Sequence, residues 1–302
     1  MVGAVLGRGS TSTVHRAEEV ATGRPVALKV LDVPARPGTD AEAVGRFRRE
    51  FEIARELASP HVVVVLDHGV LPARAGTGAR PWLTMELVDG GTGADLVPAA
   101  AGEPDLPRVL AVLEQVAGAL DHAHALDVVH RDVKPANVLL RTGPRVDAVL
   151  TDFGTARLAD DARPLAPHGR VAGSLPYAAP EVLQAQRVGP ATDVYGLACS
   201  AVEWLTGAPP YPRSTPFAIT HAHLVAAPPS LVRRRAWLPP ALDEVVARAL
   251  AKDPAERFAT CAELAGAVAG ALAGTGPPAP RPAADRQPVR RRLRTLRRRR
   301  RR

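Results

Sequence analysis

Residues 130–154 read HRDVKPANVLLRTGPRVDAVLTDFG and combine charged residues with short apolar runs. Two acids, Asp132 and Asp152, stand here with an amide, Asn137, between them. Short apolar runs at 138–140 and 149–150 lie beside turn residues, which is typical of short strands. The pattern predicts a tight loop and a small hairpin that present both carboxylates to one cleft.

Two carboxylates and an amide in one cleft suit phosphoryl transfer. One carboxylate can position the attacking hydroxyl, while the other holds, with the amide, a metal ion that neutralises the phosphates. A glycine-rich turn near the start of the chain fits this chemistry, because Gly7 and Gly9 let the backbone approach phosphate oxygens. An ordinary hairpin turn would look the same, but the alternating strand VALK downstream, which ends in Lys29, favours nucleotide binding.

Together these motifs resemble the eukaryotic-type protein kinase family, in a form closest to bacterial serine/threonine kinases. The resemblance covers about residues 5–273 and includes GSLPYAAPE at 173–181. It implies an α+β, bilobal fold. The small β-rich N-lobe with helix C and the hinge would occupy 1–88, and the larger, mostly helical C-lobe 89–273. Residues 274–302 are rich in proline and arginine, so we expect a disordered tail there.

The family assigns catalytic roles to residues in the opening stretch. By resemblance, Asp132 orients the substrate hydroxyl and accepts its proton, and Lys134 stabilises the γ-phosphate of ATP. Asn137 and Asp152 would bind Mg²⁺. A lysine two residues after the aspartate is the serine/threonine form of the motif.

A second expected pair joins the VALK strand to helix C. Residues 40–59 show helical spacing of apolar side chains, and the resemblance makes Glu50 in this helix the partner of Lys29. The competing acid Glu52 would point to a different face of the helix. A plain surface glutamate is the alternative.

The resemblance also implies a nucleotide pocket. Here Ser12 replaces the third glycine of the family's loop, and Thr11 occupies its tip. We therefore expect a lid that is stiffer or seated differently, which would change the position of the γ-phosphate. Met85 would be the gatekeeper, and residues 86–88 the hinge whose backbone binds adenine. The expected ATP-binding residues are Leu6, Gly7, Gly9, Val14, Ala27, Lys29, Met85, Glu86 and Val88.

Structural contacts are expected elsewhere in the large lobe. By resemblance, Asp193 holds the catalytic-loop backbone, Ser174 contacts that loop, and Arg257 pairs with Glu181. Phe153 and His130 would stack between the lobes. His122, His124 and Asp127 lack the further ligand that a metal site would need. We interpret them as helix surface beside the catalytic loop. Buried strands are predicted at 62–69 and 82–88, with a Gly/Pro-rich mobile loop at 72–81.

Composition limits the other possibilities. The net charge of +8 comes from the tail, because residues 281–302 hold twelve arginines and one acid, or +11, which leaves 8 − 11 = −3 for the rest. Two cysteines, Cys199 and Cys261, give no disulfide framework and no zinc-site spacing. No signal peptide and no membrane-spanning run are visible, so we expect a cytoplasmic protein.

The tail and the chain ends leave further questions open. From Arg290 to Arg302 the chain could bind an anionic membrane surface peripherally, or nucleic acid, or be a solvated charge run without a partner. Whether two copies form a homodimer is also open. Met1 lies close to Gly7, so the natural start is expected upstream, and relatives often continue beyond the basic stretch.

The expected activation segment lacks the usual switch. Residues 158–172 contain no Ser, Thr or Tyr that could be phosphorylated. In the family a phosphate there pairs with the arginine before the catalytic aspartate, here Arg131. We expect Asp160 or Asp161 to take that place permanently, against the alternative that both are solvated.

Three functions follow as hypotheses. The first is an active serine/threonine protein kinase that uses ATP and Mg²⁺. The second is a kinase-fold scaffold without activity, and the third is a polyanion binder that acts through the tail. Intact Lys29, Asp132, Asn137 and Asp152 favour the first over the second.

Overall fold

The structure, a computed structural model, describes residues 1–9, 12–31, 51–52, 54–72, 79–100, 102–153, 157–158 and 174–277. The predictions for Thr11, for Glu50, for the aspartates at 160–161 and for the tail lie outside the described residues. Most of the helix predicted at 40–59 does too. Of that segment, residues 51–52 and 54–56 are described as helical, in agreement with the prediction.

A five-stranded antiparallel sheet forms the small lobe. Its strands are β1 (Val2–Arg8), β2 (Ser12–Glu18), β3 (Pro25–Leu31), β4 (Val65–Leu71) and β5 (Arg80–Glu86). They are ordered β1-β2-β3-β5-β4, which places β3 in the centre. In this register Lys29 stands opposite Val14 on one side and Leu83 on the other. The lysine is therefore fixed in the middle of the sheet by pairing on both sides.

The prediction of a buried strand at 62–69 is wrong in its position. The strand begins at Val65 and its residues are half-buried or exposed, whereas the buried Val62 and Val63 precede it. The Val63 N–H donates to the Leu150 carbonyl at 2.9 Å, and the Leu150 N–H donates to the His61 carbonyl at 2.8 Å. The apolar run is thus divided, because its first residues pack on the large lobe and only the later ones enter the sheet. The predicted loop at 72–81 is also shorter, since Arg80 and Pro81 belong to β5.

The large lobe is mostly helical, as predicted. Its helices are α1 (Leu106–His124), α2 (Pro180–Leu183), α3 (Pro190–Thr206), α4 (Pro216–Val225), α5 (Leu231–Arg234), α6 (Pro240–Ala249) and α7 (Cys261–Ala271). Short strands β6 (Val128–Val129), β7 (Val138–Leu140), β8 (Ala148–Leu150) and β9 (Arg157–Leu158) surround the cleft, with β7 pairing β8 and β6 pairing β9. The predicted hairpin of the opening stretch is therefore confirmed.

Helix α1 is the centre of the large-lobe core. Its side chains at Val109, Leu113, Val116 and Leu120 recur at helical spacing and are essentially inaccessible to solvent. Each such burial contributes roughly 1.5–3 kcal/mol of transfer free energy. The helix begins where the Asp105 carboxylate accepts a hydrogen bond from the Arg108 N–H at 3.2 Å. α1 ends at His124, and β6 then leads directly into the catalytic loop.

Within the described residues, no helix is both long enough and apolar enough to cross a membrane. The longest helix among the described residues, α1, has 19 residues, but it is amphipathic and packs in the core of the large lobe.

Candidate active site

The catalytic loop brings together three of the predicted side chains. The Lys134 ammonium donates to the Asp132 carboxylate at 2.6 Å and to the Ser174 hydroxyl at 2.6 Å. The Asn137 side-chain amide donates to the Asp132 carbonyl at 2.8 Å and to its carboxylate at 3.1 Å. The contact of Ser174 with this loop is confirmed. Asp132 is therefore oriented from two sides by donors, so that its carboxylate is fixed at the cleft.

A buried carboxylate holds the backbone of this loop, as predicted for Asp193. Its two oxygens accept hydrogen bonds from the N–H groups of His130 and Arg131, each at 2.8 Å. Arg131 has φ +69°, a conformation that is strained for a residue with a side chain. Asp193 is 1% exposed, and its bonds gain strength in this environment of low dielectric. They therefore offset the backbone strain that turns Asp132 toward the cleft.

The prediction that His124 belongs to a helix surface is wrong. The His124 side chain is 8% exposed, and its Nε2 lies 2.8 Å from the second oxygen of Asp193. Asp121, one turn earlier in α1, lies on its other side. Burial alone lowers the pKa of His124, but the two carboxylates outweigh it and raise this pKa to about 9. A protonated His124 therefore supports Asp193 from behind. The last turn of α1 packs inward because the catalytic loop folds over it.

Asp152 is held at the opposite side of the cleft. It has φ +73°, and its carboxylate forms an ion pair with the Lys29 ammonium. Burial raises the pKa of Asp152, but the Lys29 cation outweighs it and lowers the pKa below its usual value. The next residue, Phe153, meets the His130 ring edge-on at a centroid distance of 4.6 Å, which confirms the predicted contact. The aspartate thus stays ionised and points into the cleft.

The donor set fits a magnesium ion. Asn137 uses its amide nitrogen for Asp132, so its oxygen is the atom that remains for a cation, and Asp152 supplies an anionic oxygen. Mg²⁺ prefers such oxygen ligands, typically one or two carboxylates together with substrate phosphates. Lys29 meets Asp152 among the described residues, while its predicted pair with Glu50 stays a prediction. These residues are able to hold a metal–nucleotide complex.

Three of the predicted nucleotide-binding residues pack together in the small lobe. Ala27 and Met85 are buried together with Val63, and Val14 packs against them. Gly7 lies in β1 opposite Val14, so the prediction that places it in the turn is wrong, and an added Cβ there would meet nothing within 4 Å. The remaining members are described along the same sheet and hinge: Leu6 in β1, Gly9 just after that strand, Glu86 at the end of β5, and Val88 just after it. Their contacts with ATP stay predictions.

Sequence reasoning missed Arg141, which fastens the hinge to the large lobe. Its guanidinium contacts the Glu86 carboxylate at 2.9 Å and the Asp147 carboxylate at 3.1 Å. Burial lowers the pKa of Arg141, but the two carboxylates outweigh it and raise the pKa overall. The same Glu86 oxygen also accepts the Val64 N–H at 2.9 Å. Only the fold shows that an arginine after β7 faces an acid 55 positions earlier in the chain.

Replacing Arg141 with alanine should loosen this hinge. Partly exposed charge-assisted bonds contribute on the order of 1 kcal/mol, so we expect KM for ATP to rise roughly 3- to 10-fold, while kcat stays within about twofold. Steady-state kinetics with varied ATP measures both. Arg145→Ala, an exposed position in the β7–β8 turn, is the matched control. A fall in kcat at unchanged KM would contradict the assignment of Arg141 to the hinge.

A buried ion pair fixes the end of the activation segment. The Arg257 guanidinium donates to both oxygens of Glu181 at 2.8 Å, which confirms the predicted pair. Both side chains are almost inaccessible to solvent. Thr192 adds a third bond to Glu181 at 2.8 Å. The segment that leads from Ser174 into α2 is thereby joined to the base of the large lobe.

The bilobal fold and the arrangement of Asp132, Lys134, Asn137, Asp152 and Lys29 define the class of protein kinases. The protein kinase domain family matches residues 1–266, and the chain belongs to this family. Among curated relatives, the serine/threonine-protein kinase PknF of Mycobacterium tuberculosis is 38% identical over 279 residues, covering 90% of this chain and 56% of the relative. PknB of Mycolicibacterium smegmatis is 36% identical, covering 94% of this chain and 44% of PknB.

Solved structures agree with this assignment. The kinase domain of Mycobacterium tuberculosis PknI is 36% identical with a TM-score of 0.68, covering 90% of this chain and 95% of that domain. The chain spans about half the length of the curated relatives that it matches. The shared unit is the kinase domain.

Proposed function

We propose that the protein is an active serine/threonine protein kinase that transfers the γ-phosphoryl group of ATP to protein hydroxyls. The observation that carries this proposal is the assembled cleft, in which Asp132 is oriented by Lys134 and Asn137 and faces the Lys29–Asp152 pair. A scaffold without activity has no need for a strained, ion-paired Asp152 beside an oriented Asp132. The names of the relatives support serine and threonine as acceptors, in the general class of protein serine/threonine kinases that act in bacterial signalling.

Each side chain has a defined part in this reaction. Asp132 accepts a hydrogen bond from the substrate hydroxyl and takes up its proton as the oxygen attacks the γ-phosphorus, while the bond from this phosphorus to the β–γ bridging oxygen breaks and ADP leaves. Lys134, already beside Asp132, donates to the γ-phosphoryl oxygens, and Lys29 donates to the phosphates nearer the adenosine. Asn137 and Asp152 would hold Mg²⁺, which supplies charge neutralisation at the phosphates. Catalysis is thus positioning and electrostatic stabilisation by preorganised groups.

The choice of hydroxyl follows from the same contacts. Lys134 bridges Asp132 and Ser174, so the catalytic loop and the segment at 174–177 close together over the acceptor position. A short aliphatic hydroxyl places its oxygen close to the backbone of the peptide, within reach of this compact bridge. Serine and threonine therefore suit the site better than the longer tyrosine side chain.

The test is a phosphotransfer assay with radiolabelled ATP, Mg²⁺ and a general acceptor such as casein or a serine-containing peptide library. The full chain should label serine and threonine, and Lys29→Met should reduce labelling at least a hundredfold, because it removes the cation from Asp152 and the phosphates. Thermal unfolding controls for the folding of the variant. A wild-type rate no higher than that of Lys29→Met would support the scaffold instead.

We infer that the catalytic domain divides at the hinge into lobes at 1–88 and 89–273, and that 274–302 is a basic tail that attaches to anionic surfaces. Deleting 287–302 should leave peptide phosphorylation unchanged, since this stretch is mostly arginine and has too few apolar residues to build a core. It should abolish binding to vesicles of phosphatidylserine at low salt, because each arginine near such a surface contributes about 1 kcal/mol. Vesicle sedimentation measures this.

A full-length variant with glutamine at every arginine from 290 to 302 is the matched control for that deletion. It keeps the length of the tail but removes its charge, so it should behave like the deletion. Unchanged vesicle binding after the deletion would exclude the tail as the anchor. Binding of single-stranded nucleic acid that exceeds vesicle binding at equal salt would assign the tail to that partner instead.

A further inference from the structure

Three side chains from distant parts of the sequence meet where the end of α1 touches the beginning of α7. Asp121 and His124 come from the last turns of α1, and Cys261 is the first residue of α7. A carboxylate oxygen, an imidazole nitrogen and the thiol sulfur all lie within 4.8 Å of one another. They share no local sequence motif, because 140 positions separate Asp121 from Cys261.

His124 presents an unsatisfied nitrogen to this cluster. Its side chain is 8% exposed and its Nε2 is engaged by Asp193, whereas Nδ1 is buried and has no hydrogen-bond partner among the described residues. The Asp121 carboxylate is 3.7 Å from Nδ1, which is too long for a hydrogen bond. A buried polar atom without a partner is costly, and such atoms often mark a site where a ligand or ion completes the bonding.

We propose that Asp121, His124 and Cys261 form a zinc site, with His124 Nδ1, a carboxylate oxygen and the thiolate as ligands. Zinc accepts this mixed set of nitrogen, oxygen and sulfur in tetrahedral geometry, and a water molecule would complete the fourth position. Magnesium and calcium prefer oxygen ligands alone, so the cluster selects against the ion that serves the active site.

The surroundings of the cluster resemble those of a prepared metal site. A metal-binding histidine usually donates its second ring nitrogen to a carboxylate, which fixes the tautomer and the ring orientation. His124 makes this bond through Nε2, which lies 2.8 Å from the accepting Asp193 carboxylate. The carboxylate and the thiolate would balance the charge of Zn²⁺, while the Cys261 thiol and the protonated His124 ring would each release a proton as the ion binds.

The cluster also has an entry path and a stable frame. The Asp121 side chain is 25% exposed, so an ion can reach its carboxylate from solvent. That carboxylate already accepts the N–H groups of Cys261 and Ala262 at 2.8 and 2.9 Å, which fixes it at the start of α7. Each oxygen keeps a second lone pair for the ion. The ends of the two helices are therefore already joined beside the three ligands.

The position of the site gives it a connection to catalysis. Asp193 bonds to His124 on one side and to the backbone of His130 and Arg131 on the other. A metal on Nδ1 would hold the imidazole ring against Asp193 and so steady the loop that carries Asp132. This consequence rests on the proposed kinase function, whereas metal binding itself does not.

Cobalt(II) is the probe for the test, because a thiolate bound to Co²⁺ gives an intense charge-transfer absorption in the near ultraviolet. The full chain, freed of metal by a chelator, should develop this absorption at one equivalent of Co²⁺ and lose it when Zn²⁺ is added. Cys261→Ser should abolish it. Cys199→Ser is the matched control, since Cys199 is the second buried cysteine and lies in α3 away from the cluster. The active site contains no thiol, so Co²⁺ bound there does not give this charge-transfer absorption.

Thermal unfolding provides an independent measurement. Zn²⁺ at about a hundred times its Kd should raise Tm by roughly 5–10 °C for a domain of this size, and Cys261→Ser should lose that rise. If Cys261→Ser does not fold, Asp121→Asn serves instead, because asparagine can still accept the N–H bonds of α7. It should weaken Co²⁺ binding at least tenfold. No charge-transfer absorption in the wild type, or an absorption that survives Cys261→Ser, would overturn the proposal.

Discussion

Replacing Asp132 with asparagine is expected to lower kcat by about 10²- to 10⁴-fold while KM for ATP changes little. The amide cannot take up the proton of the acceptor hydroxyl, yet it can still bond to Lys134 and keep the loop in place. The loss therefore occurs in the step that transfers the phosphoryl group. Steady-state kinetics with a peptide substrate and a separate measurement of ATP binding give the two quantities.

Asp152→Asn provides the contrast, because it removes an anionic ligand at the expected metal position. We expect a weaker productive complex, seen as a requirement for several-fold more Mg²⁺ to reach half-maximal rate. In Asp132→Asn the magnesium requirement should stay at the wild-type value. If both variants keep nearly wild-type turnover, or if their effects on magnesium are exchanged, the roles given to the two aspartates are wrong.

Replacing Arg257 with methionine is expected to lower the free energy of unfolding by about 3–5 kcal/mol. The change leaves the Glu181 carboxylate buried without its cation, and its remaining bond from Thr192 does not replace a bidentate pair. Urea denaturation followed by circular dichroism measures the loss. Activity should fall as well, because the pair fixes the segment that presents substrate.

Two further variants separate the ion pair from general damage. The double variant Glu181→Gln/Arg257→Met removes the isolated charge and should recover part of the lost stability. Arg213→Met changes an exposed arginine that bonds only its neighbour Pro212 among the described residues, and should stay within about 0.5 kcal/mol of wild type. A loss at Arg257 no larger than at Arg213 would mean that the buried pair does not stabilise the fold.

The sequence predicted those parts of the site that local motifs encode. Asp132, Asn137 and Asp152 lie within 21 positions of one another, so their spacing alone indicated a loop and a hairpin around one cleft. Asp193 and the Glu181–Arg257 pair came from the family resemblance, and the hydrogen bonds confirm both. The roles in catalysis and nucleotide binding stay predictions.

Contacts between distant segments were not visible in the sequence. The role of Arg141 depends on Glu86, and the burial of His124 depends on Asp193, which is 69 positions away. The short ligand spacings that mark familiar zinc sites were absent for the same reason, because Cys261 meets α1 only after the large lobe has folded. The strand predicted at 62–69 was misplaced because an apolar run looks the same in the sequence whether its residues pack in the sheet or against the other lobe.

The bonds between Val63, His61 and Leu150 have a consequence for how the two lobes move. The small lobe is attached to the large one not only through the hinge after Glu86 but also through this second contact. A body held at two separate points turns only about the line that joins them. We therefore expect opening and closing of the cleft to be mainly a rotation about this line, which would return Lys29 to Asp152 with little sideways or twisting displacement.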